Sequence, residues 1–166
     1  KRSFFAENFS KYQVGETLTN WGEGIIVVES LGKKGITSKI SGENTITQPV
    51  NFPDNFNFSF DIKGTTWTWS TLSFYNSQGE RFKMDLRIKD NHFYVSFPNK
   101  TEAKVSCNGE EYNRVSLIKK GNDCQVYLND TFILNTLFDN KTNFTNFSLN
   151  CRLDTLSLAN FSGVEL

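Results

Sequence analysis

Three segments of this chain alternate strictly between apolar and polar residues, and this alternation constrains the fold more than any other feature. Residues 56–62 place three phenylalanines and an isoleucine on one face and polar residues on the other. Residues 82–88 and 93–97 repeat the pattern. Side chains of a β-strand alternate between its two faces, so a two-residue period indicates strands with one face on a core and one toward solvent.

The rest of the chain is typical of an all-β domain. Strands recurring about every 8–12 residues with turn signals between them indicate a sandwich or barrel, and no sustained helical spacing of apolar residues interrupts them. A chain of 166 residues without a shift in composition fits one domain, which we expect to span residues 1–166. Further strands are predicted near 25–29, 36–40, 45–48, 67–75, 103–107, 114–119, 124–128, 144–151 and 155–161.

Turn residues predict how neighbouring strands pair. A two-residue hairpin at 90–91 brings Ile88 opposite Phe93, so apolar side chains meet on one face. A hairpin at 121–122 gives the same result for the strands that flank it, and a longer turn occupies 76–79. Both hairpin registers keep the hydrophobic residues together, which supports the strand assignment.

The charge balance bears on the kind of partner. Lys+Arg and Asp+Glu number 18 each, so the net charge is zero. A neutral chain offers no electrostatic attraction for nucleic acid or an anionic membrane surface. No apolar run approaches the roughly 20 residues of a membrane-spanning helix. We therefore expect neither nucleic-acid binding nor membrane insertion.

The three cysteines, Cys107, Cys124 and Cys151, cannot all pair with one another, and none form a C-x-x-C motif. A zinc or redox site is therefore not expected. The simplest interpretation is that they are small buried apolar residues. One disulfide with one free thiol remains an alternative, and an unpaired thiol would permit a homodimer.

Four segments of the chain resemble modules of the concanavalin A-like lectin and glucanase superfamily, especially laminin-G-like modules. The first contains aromatic and acidic residues followed by Gly and Trp, and the third contains a Gly-Asn turn before Val-Tyr-Leu-Asn-Asp. The segments are FFAENFSKYQVGETLTNWGEG (4–24), NFPDNFNFSFDIKG (51–64), RVSLIKKGNDCQVYLNDTFIL (114–134) and LDTLSLANFSGVEL (153–166).

This resemblance implies a jelly-roll sandwich of two antiparallel sheets, with ligands on the concave face or on the loops at one edge. Members of the superfamily bind glycans, proteins or lipids, and some are glycoside hydrolases, so the fold does not choose among these functions. The resemblance also implies an extracellular or cell-surface location and allows a structural calcium ion, although no loop concentrates acidic residues as a calcium loop would. Otherwise no cofactor is expected.

Eight Asn-x-Ser/Thr sequences occur along the chain. Such sequences are acceptors for N-glycosylation in secreted proteins. Strand alternation, with Phe pointing inward and Asn and Ser or Thr outward, is the simpler interpretation.

Catalytic patterns are weak. Retaining glycosidases need two carboxylates on one face, whereas Glu110 and Glu111 are adjacent and would face opposite ways on a strand. His92 is the single histidine and follows a predicted turn, so a histidine-based triad or multi-histidine metal site is not expected. We therefore predict that the domain is not an enzyme, with no catalytic residues and no metal-binding residues.

The most informative segment is WTWSTLSFY, residues 67–75. If Leu72 and Phe74 point into the core, the alternate residues face solvent, and two of those are tryptophans. An exposed pair of large aromatic side chains usually serves a binding purpose. The residues predicted to share this outer face are Trp67, Trp69, Thr71, Ser73 and Tyr75.

Strand registers extend this face across the sheet. Phe74 opposite Phe82 places Trp69 opposite Arg87, and the hairpin at 90–91 places Arg87 opposite Tyr94. Thr71, Asp85 and Ser96 form the next row. A sugar ring can stack on an indole while its hydroxyl groups bond to charged residues. The predicted ligand-binding residues are Trp67, Trp69, Tyr75, Asp85, Arg87 and Tyr94.

Other interpretations of this segment remain open. A bulge near Ser70 would turn both tryptophans into the core, and Arg87 on Trp69 could be a purely structural cation–π contact. The preferred function is a non-catalytic, glycan-binding recognition module. The alternatives are a structural or protein–protein interaction domain without a small ligand and, third, a divergent glycoside hydrolase.

Overall fold

The computed structural model describes residues 1–166 and consists of fourteen β-strands without a helix. In chain order the strands are β1 (Ser3–Glu7), β2 (Ile25–Ser30), β3 (Lys33–Ser38), β4 (Asn44–Pro49), β5 (Phe56–Gly64), β6 (Ser70–Asn76), β7 (Arg81–Lys89), β8 (His92–Ser96), β9 (Glu102–Ser106), β10 (Asn113–Lys120), β11 (Asp123–Leu128), β12 (Thr131–Leu137), β13 (Phe144–Cys151) and β14 (Leu156–Glu165).

The strands form two antiparallel sheets, which together make a β-sandwich. The larger sheet has the order β12-β11-β10-β5-β14-β3-β2, and β1 pairs with the part of β14 that β3 does not reach. The smaller sheet has the order β4-β13-β6-β7-β8-β9. The predicted two-sheet antiparallel sandwich is confirmed.

A single hydrophobic cluster of 37 buried residues lies between the sheets. It is rich in aromatic pairs that join the two layers, such as Phe58 with Phe147, whose ring centres are 4.8 Å apart. Phe82 and Phe138 approach to 4.2 Å in the same way. Such pairs add about 0.5–1.5 kcal/mol beyond the area they bury. The inward faces of the alternating strands therefore make the core that the sequence indicates.

The predicted turns form. Asp90 and Asn91 have φ angles of 52° and 57°, as a type I′ hairpin requires at its two central residues. Ile88 pairs with Phe93, and the hairpin at 121–122 pairs Leu117 with Val126. These two registers are confirmed.

Two strands are absent from the sequence prediction, β1 and β12. In β12 the outward Phe132 is exposed while the inward Thr136 is buried, so apolar and polar residues do not alternate in phase with the faces. A register shift between Val126 and Tyr127 in the neighbouring strand accompanies this irregularity. In β1 the two phenylalanines are consecutive, which hides any two-residue period. No helical segment has the length and hydrophobicity that crossing a lipid bilayer requires.

Candidate binding surface on the smaller sheet

Trp67 and Trp69 lie in the connection between β5 and β6, here called the Trp loop (residues 65–69). The sequence predicted a strand beginning at residue 67, but β6 begins at Ser70. Thr66, which belongs to the loop and not to β6, occupies the inward, buried position. Its backbone N–H donates to Ile88 O at 3.0 Å, and its side-chain oxygen accepts from the N–H of Thr68 at 3.2 Å.

Both tryptophans of the Trp loop reach solvent. Trp67 is 76% exposed and Trp69 is 38% exposed, whereas the third tryptophan, Trp21, is 2% exposed within the core. A bulge that turns the loop tryptophans inward is therefore not present. Trp67 is among the most exposed large apolar side chains of the chain, and a tryptophan is seldom so exposed.

Trp69 continues into a row of side chains that crosses the smaller sheet. Register places Arg87 opposite Tyr94 and Tyr94 opposite Lys104. Trp69 precedes the first paired residue of β6, Ser70, and its ring lies 6.3 Å from that of Tyr94. We call these four residues the aromatic row. The predicted order Trp69, Arg87, Tyr94 is confirmed, and Lys104 extends it.

Arg87 connects the aromatic row to the Trp loop. Its guanidinium carbon lies 4.6 Å from the centre of the Trp69 ring and 4.9 Å from that of Tyr94. Its Nη1 donates to the backbone oxygen of Trp67 at 3.0 Å. Cation–π contacts contribute about 0.5–1 kcal/mol each at exposed sites and more when desolvated. Arg87 therefore holds Trp67 and Trp69 in fixed positions.

The next row carries the carboxylate of the surface. Thr71 pairs with Asp85, and Asp85 pairs with Ser96. The hydroxyl of Thr71 donates to Asp85 Oδ1 at 2.7 Å. The carboxylate is thus oriented beside the aromatic row, with its other oxygen left for a hydroxyl donor. The predicted second row is confirmed as an arrangement.

Tyr75 shares the outer face but not the vicinity of the tryptophans. It lies six residues along the strand from Trp69, which corresponds to about 20 Å at the usual rise per residue. Its neighbour is Arg81, whose guanidinium carbon lies 5.8 Å from the ring centre. The structure therefore brings together five of the six predicted ligand-binding residues and separates Tyr75 from them.

Lys89 belongs to the surface although the sequence interpretation missed it. Its Nζ lies 3.8 Å from the centre of the Trp67 ring. A pocket of about 310 Å³ lies beside this pair, at the lower end of the range of small-ligand pockets. The alternation that assigned Arg87 to the outer face assigns Lys89 as well, two residues later. The pocket is lined by Thr65, Thr66, Trp67, Lys89, Asp90, Asn91, Gly109 and Glu110.

No group of three or more His, Cys, Asp or Glu side chains is arranged to hold a metal ion. Hence no set of acidic ligands can be named for the structural calcium that the resemblance allows. All three cysteines are free, with Cys124 and Cys151 buried in the core and Cys107 half-buried. The interpretation of two of them as small apolar core residues is confirmed.

The outer face of the larger sheet differs in its electrostatics. Asp61 is 2% exposed there and forms salt bridges with Lys33 at 2.7 Å and Arg114 at 3.0 Å. Nearby, the hydroxyls of Tyr112 and Ser157 are hydrogen-bonded at 2.6 Å. The charges of Asp61, Lys33 and Arg114 are therefore paired within the protein, and these three side chains are less available to a ligand.

No protein-family model and no curated protein matches the sequence. Solved structures do match. Carbohydrate-binding module CBM66 from Bacillus subtilis has a TM-score of 0.56 and 16% identity, covering 84% of this chain and 91% of the module. Caenorhabditis elegans galectin LEC-6 has a TM-score of 0.55 and 6% identity, covering 75% of this chain and 94% of the galectin.

A sialidase gives a TM-score of 0.71 at 12% identity, covering 98% of this chain. This chain spans only 18% of the length of that enzyme. Identities this low establish the fold, which is a galectin- and lectin-like β-sandwich consistent with a concanavalin A-like jelly roll. The similar structures include both carbohydrate-binding proteins and glycosidase-related proteins.

Proposed function

We propose that this domain is a non-catalytic recognition module that binds glycans on the outer face of the smaller sheet. The single observation that carries the proposal is that Trp67 is 76% exposed. It lies next to a second tryptophan and is held by Arg87. A pyranose ring presents apolar C–H groups on one face and hydroxyls at its edge. It can therefore stack on an indole while charged groups accept or donate hydrogen bonds at its rim.

Each part of the surface has a role in this proposal. Trp67 and Trp69 supply the stacking area, and Asp85 accepts hydrogen bonds from sugar hydroxyls. Arg87 fixes the loop through Nη1, and because its Nε is buried, only its terminal Nη groups can donate to a ligand. Because each contact contributes on the order of 1 kcal/mol, single-sugar affinity is expected to be weak and to rise with longer or multivalent ligands.

The similar structures support this proposal, since they include a carbohydrate-binding module and a galectin. Proteins that bind external glycans act outside the cell. We therefore propose an extracellular or cell-surface location for the parent protein.

A glycan array tests the proposal with three proteins: wild type, Trp67→Ala/Trp69→Ala, and Phe132→Ala. Phe132 is 51% exposed on β12 of the other sheet, so its substitution removes a comparable exposed aromatic ring away from the site. The proposal expects a glycan bound by wild type and by Phe132→Ala but not by the folded double variant. Absence of any glycan ligand, or equal binding by all three, would overturn it in favour of protein–protein recognition.

A hydrolytic function is the second candidate because two carboxylates, Asp90 and Glu110, line the pocket beside Trp67. Glycoside hydrolysis uses a pair of carboxyl groups on opposite sides of the scissile bond. Incubating any glycan found on the array with the protein, and analysing its length, separates the two functions. Cleavage that Asp90→Asn and Glu110→Gln both abolish would establish an enzyme.

A further inference from the structure

The outer face of the smaller sheet carries more cationic side chains than acidic ones. Outward positions of β7 and β9 carry five cationic side chains and two carboxylates. The cations are Arg81, Lys83, Arg87, Lys89 and Lys104, and the carboxylates are Asp85 and Glu102. In a chain whose net charge is zero, this face is locally positive.

None of these five cations forms a salt bridge. The five ion pairs of the protein all lie elsewhere, and on the outer face of the larger sheet Lys33 and Arg114 both contact Asp61. A cation that is already paired with a carboxylate of the protein attracts an anionic ligand less strongly. The unpaired cations of the smaller sheet keep their full charge, and an incoming anion meets no carboxylate already bound to them.

Aromatic rings hold four of the five cations in place. Arg87 contacts Trp69 and Tyr94, Lys89 contacts Trp67, Lys104 contacts Tyr94, and Arg81 contacts Tyr75. A ring face attracts a cation through its quadrupole but does not cancel its charge. Such contacts reduce the side-chain freedom that a long Lys or Arg loses when it binds a ligand. The cations are thereby positioned for an anion in advance.

Arg87 and Lys89 occupy alternate positions of one strand, so their backbones lie about 7 Å apart on the same face. Both contact the Trp loop, Arg87 through the Trp67 carbonyl and Lys89 through the Trp67 ring. A sugar ring that stacks on Trp67 therefore has two cations within reach of a carboxylate or sulfate substituent. Neutral sugars cannot use either charge fully.

We infer that the glycans this surface recognises are acidic, carrying a uronate, sialate or sulfate group that binds at Arg87 and Lys89. This inference rests on the proposed glycan-binding function and names its ligand class. Single-stranded nucleic acid also combines anionic groups with stacking bases. It fits less well because the neutral chain as a whole lacks the long-range attraction that polyphosphates require.

Paired ligands that differ only in their acidic group test the inference. Suitable pairs are sialyllactose with lactose, polygalacturonate with its methyl ester, and chondroitin sulfate with unsulfated chondroitin, measured by calorimetry at low salt. An oligo-dT strand serves as the nucleic-acid probe. We expect at least one acidic member to bind about tenfold more tightly than its partner, with the difference reduced by added salt.

Variants assign the effect to named residues. Arg87→Met/Lys89→Met is expected to lower the affinity for the acidic glycan to that of its neutral partner. Lys39→Met/Lys120→Met removes two exposed charges elsewhere and should leave the preference intact. Because Arg87 also holds the Trp loop, Lys89→Met and Lys104→Met are measured singly, and we expect Lys89→Met to weaken acidic-glycan binding the more.

The outcomes separate this inference from the proposed function. Equal binding of acidic and neutral partners, or an equal loss of preference in the Lys39/Lys120 control, would refute acidic specificity and leave glycan binding standing. Absence of binding to every glycan would refute both. Binding of oligo-dT as tight as that of the best glycan would refute the inference in favour of nucleic-acid recognition.

Discussion

The ammonium group of Lys89 lies 3.8 Å from the centre of the Trp67 ring, so the most exposed tryptophan of the protein is in contact with a cation. The pair is at the surface, where a cation–π contact contributes about 0.5–1 kcal/mol. Trp67 therefore contributes little to folding. Its place in the loop is better explained by what it presents to a ligand.

We expect Trp67→Ala to change the free energy of unfolding by less than about 1 kcal/mol. Chemical denaturation of the variant and of wild type measures this difference. Trp21→Ala is the matched control, because Trp21 is 2% exposed and its loss should cost about 3–5 kcal/mol. A large loss from Trp67→Ala would assign this residue a structural role instead.

Arg87 should control the order of the Trp loop. Arg87→Met removes the donor to the Trp67 carbonyl and both cation–π contacts, and we expect faster hydrogen exchange at the amides of Thr66 and Thr68. Arg87→Lys keeps the charge but loses the planar guanidinium group. Amide exchange in this variant should therefore be intermediate between that of wild type and that of Arg87→Met. Amide exchange followed by NMR checks both variants, and unchanged protection in Arg87→Met would mean that the loop is held by its backbone alone.

The buried carboxylate of Asp61 makes Arg114 important for stability. Removing one partner of a buried pair leaves a poorly compensated charge. Since Arg114 is itself partly exposed and Lys33 remains, we expect Arg114→Met to cost roughly 2–3 kcal/mol, below the full penalty. Asp61→Asn in the same background should restore part of that loss. Denaturation of the two single variants and the double variant gives the coupling energy.

Lys119 should make the free energy of unfolding depend on pH in the alkaline range. It is 4% exposed, and its ammonium group donates to Asp54 O at 3.0 Å and Gly121 O at 2.7 Å. Burial lowers the pKa of Lys119 below its ordinary value of 10.5, and the charge of Asp54 opposes this shift. The unfolded chain therefore binds this proton more tightly than the folded protein does.

It follows that the Lys119 contribution becomes more favourable as pH rises from the lowered folded pKa to the unfolded value. We expect the stability of wild type relative to Lys119→Met to increase as pH approaches the ordinary value of 10.5 from below. Guanidinium denaturation of both proteins across this range measures the trend. A constant difference would show that the ammonium group is solvated well enough to keep its ordinary pKa.

The thiols should remain reduced and differ in reactivity. Burial raises the pKa of Cys124, Cys151 and Cys107 and so lowers the fraction of reactive thiolate. Only Cys107 is partly accessible. We expect a disulfide-exchange reagent to modify Cys107 slowly in the native protein and all three after denaturation. Fewer than three reactive thiols in the denatured, unreduced protein would indicate a disulfide.

Much of the fold can be predicted from the sequence where one face of a strand is buried and the other is exposed to solvent. The alternation at β7 and the turn at Asp90-Asn91 together fix a register that a one-residue slip would reverse. Prediction fails in β12, where Phe132 is outward and Thr136 inward. These two residues are four apart and would share a face in a regular strand, but the register shift opposite Val126 and Tyr127 adds one residue to β12 and reverses the alternation.

The binding surface could be predicted in part for the same reason. The pairing of neighbouring strands places Trp69, Arg87 and Tyr94 in one row. This row can be predicted without knowledge of any side-chain contact. The start of β6 could not be predicted, because the inward position of Thr66 depends on its hydrogen bond to a neighbouring strand. The distance of Tyr75 from the tryptophans could have been foreseen from its separation along the strand alone.

The five-residue Trp loop stands outside the sheet hydrogen bonding of β6 while remaining anchored to β7. Amino-acid changes at its exposed positions therefore leave the 37-residue core untouched. A library randomised at residues 65, 67, 68 and 69 should yield mostly folded proteins with altered ligand preferences. The same separation would allow the loop sequence to change while the scaffold is retained, as antigen-binding loops change on theirs.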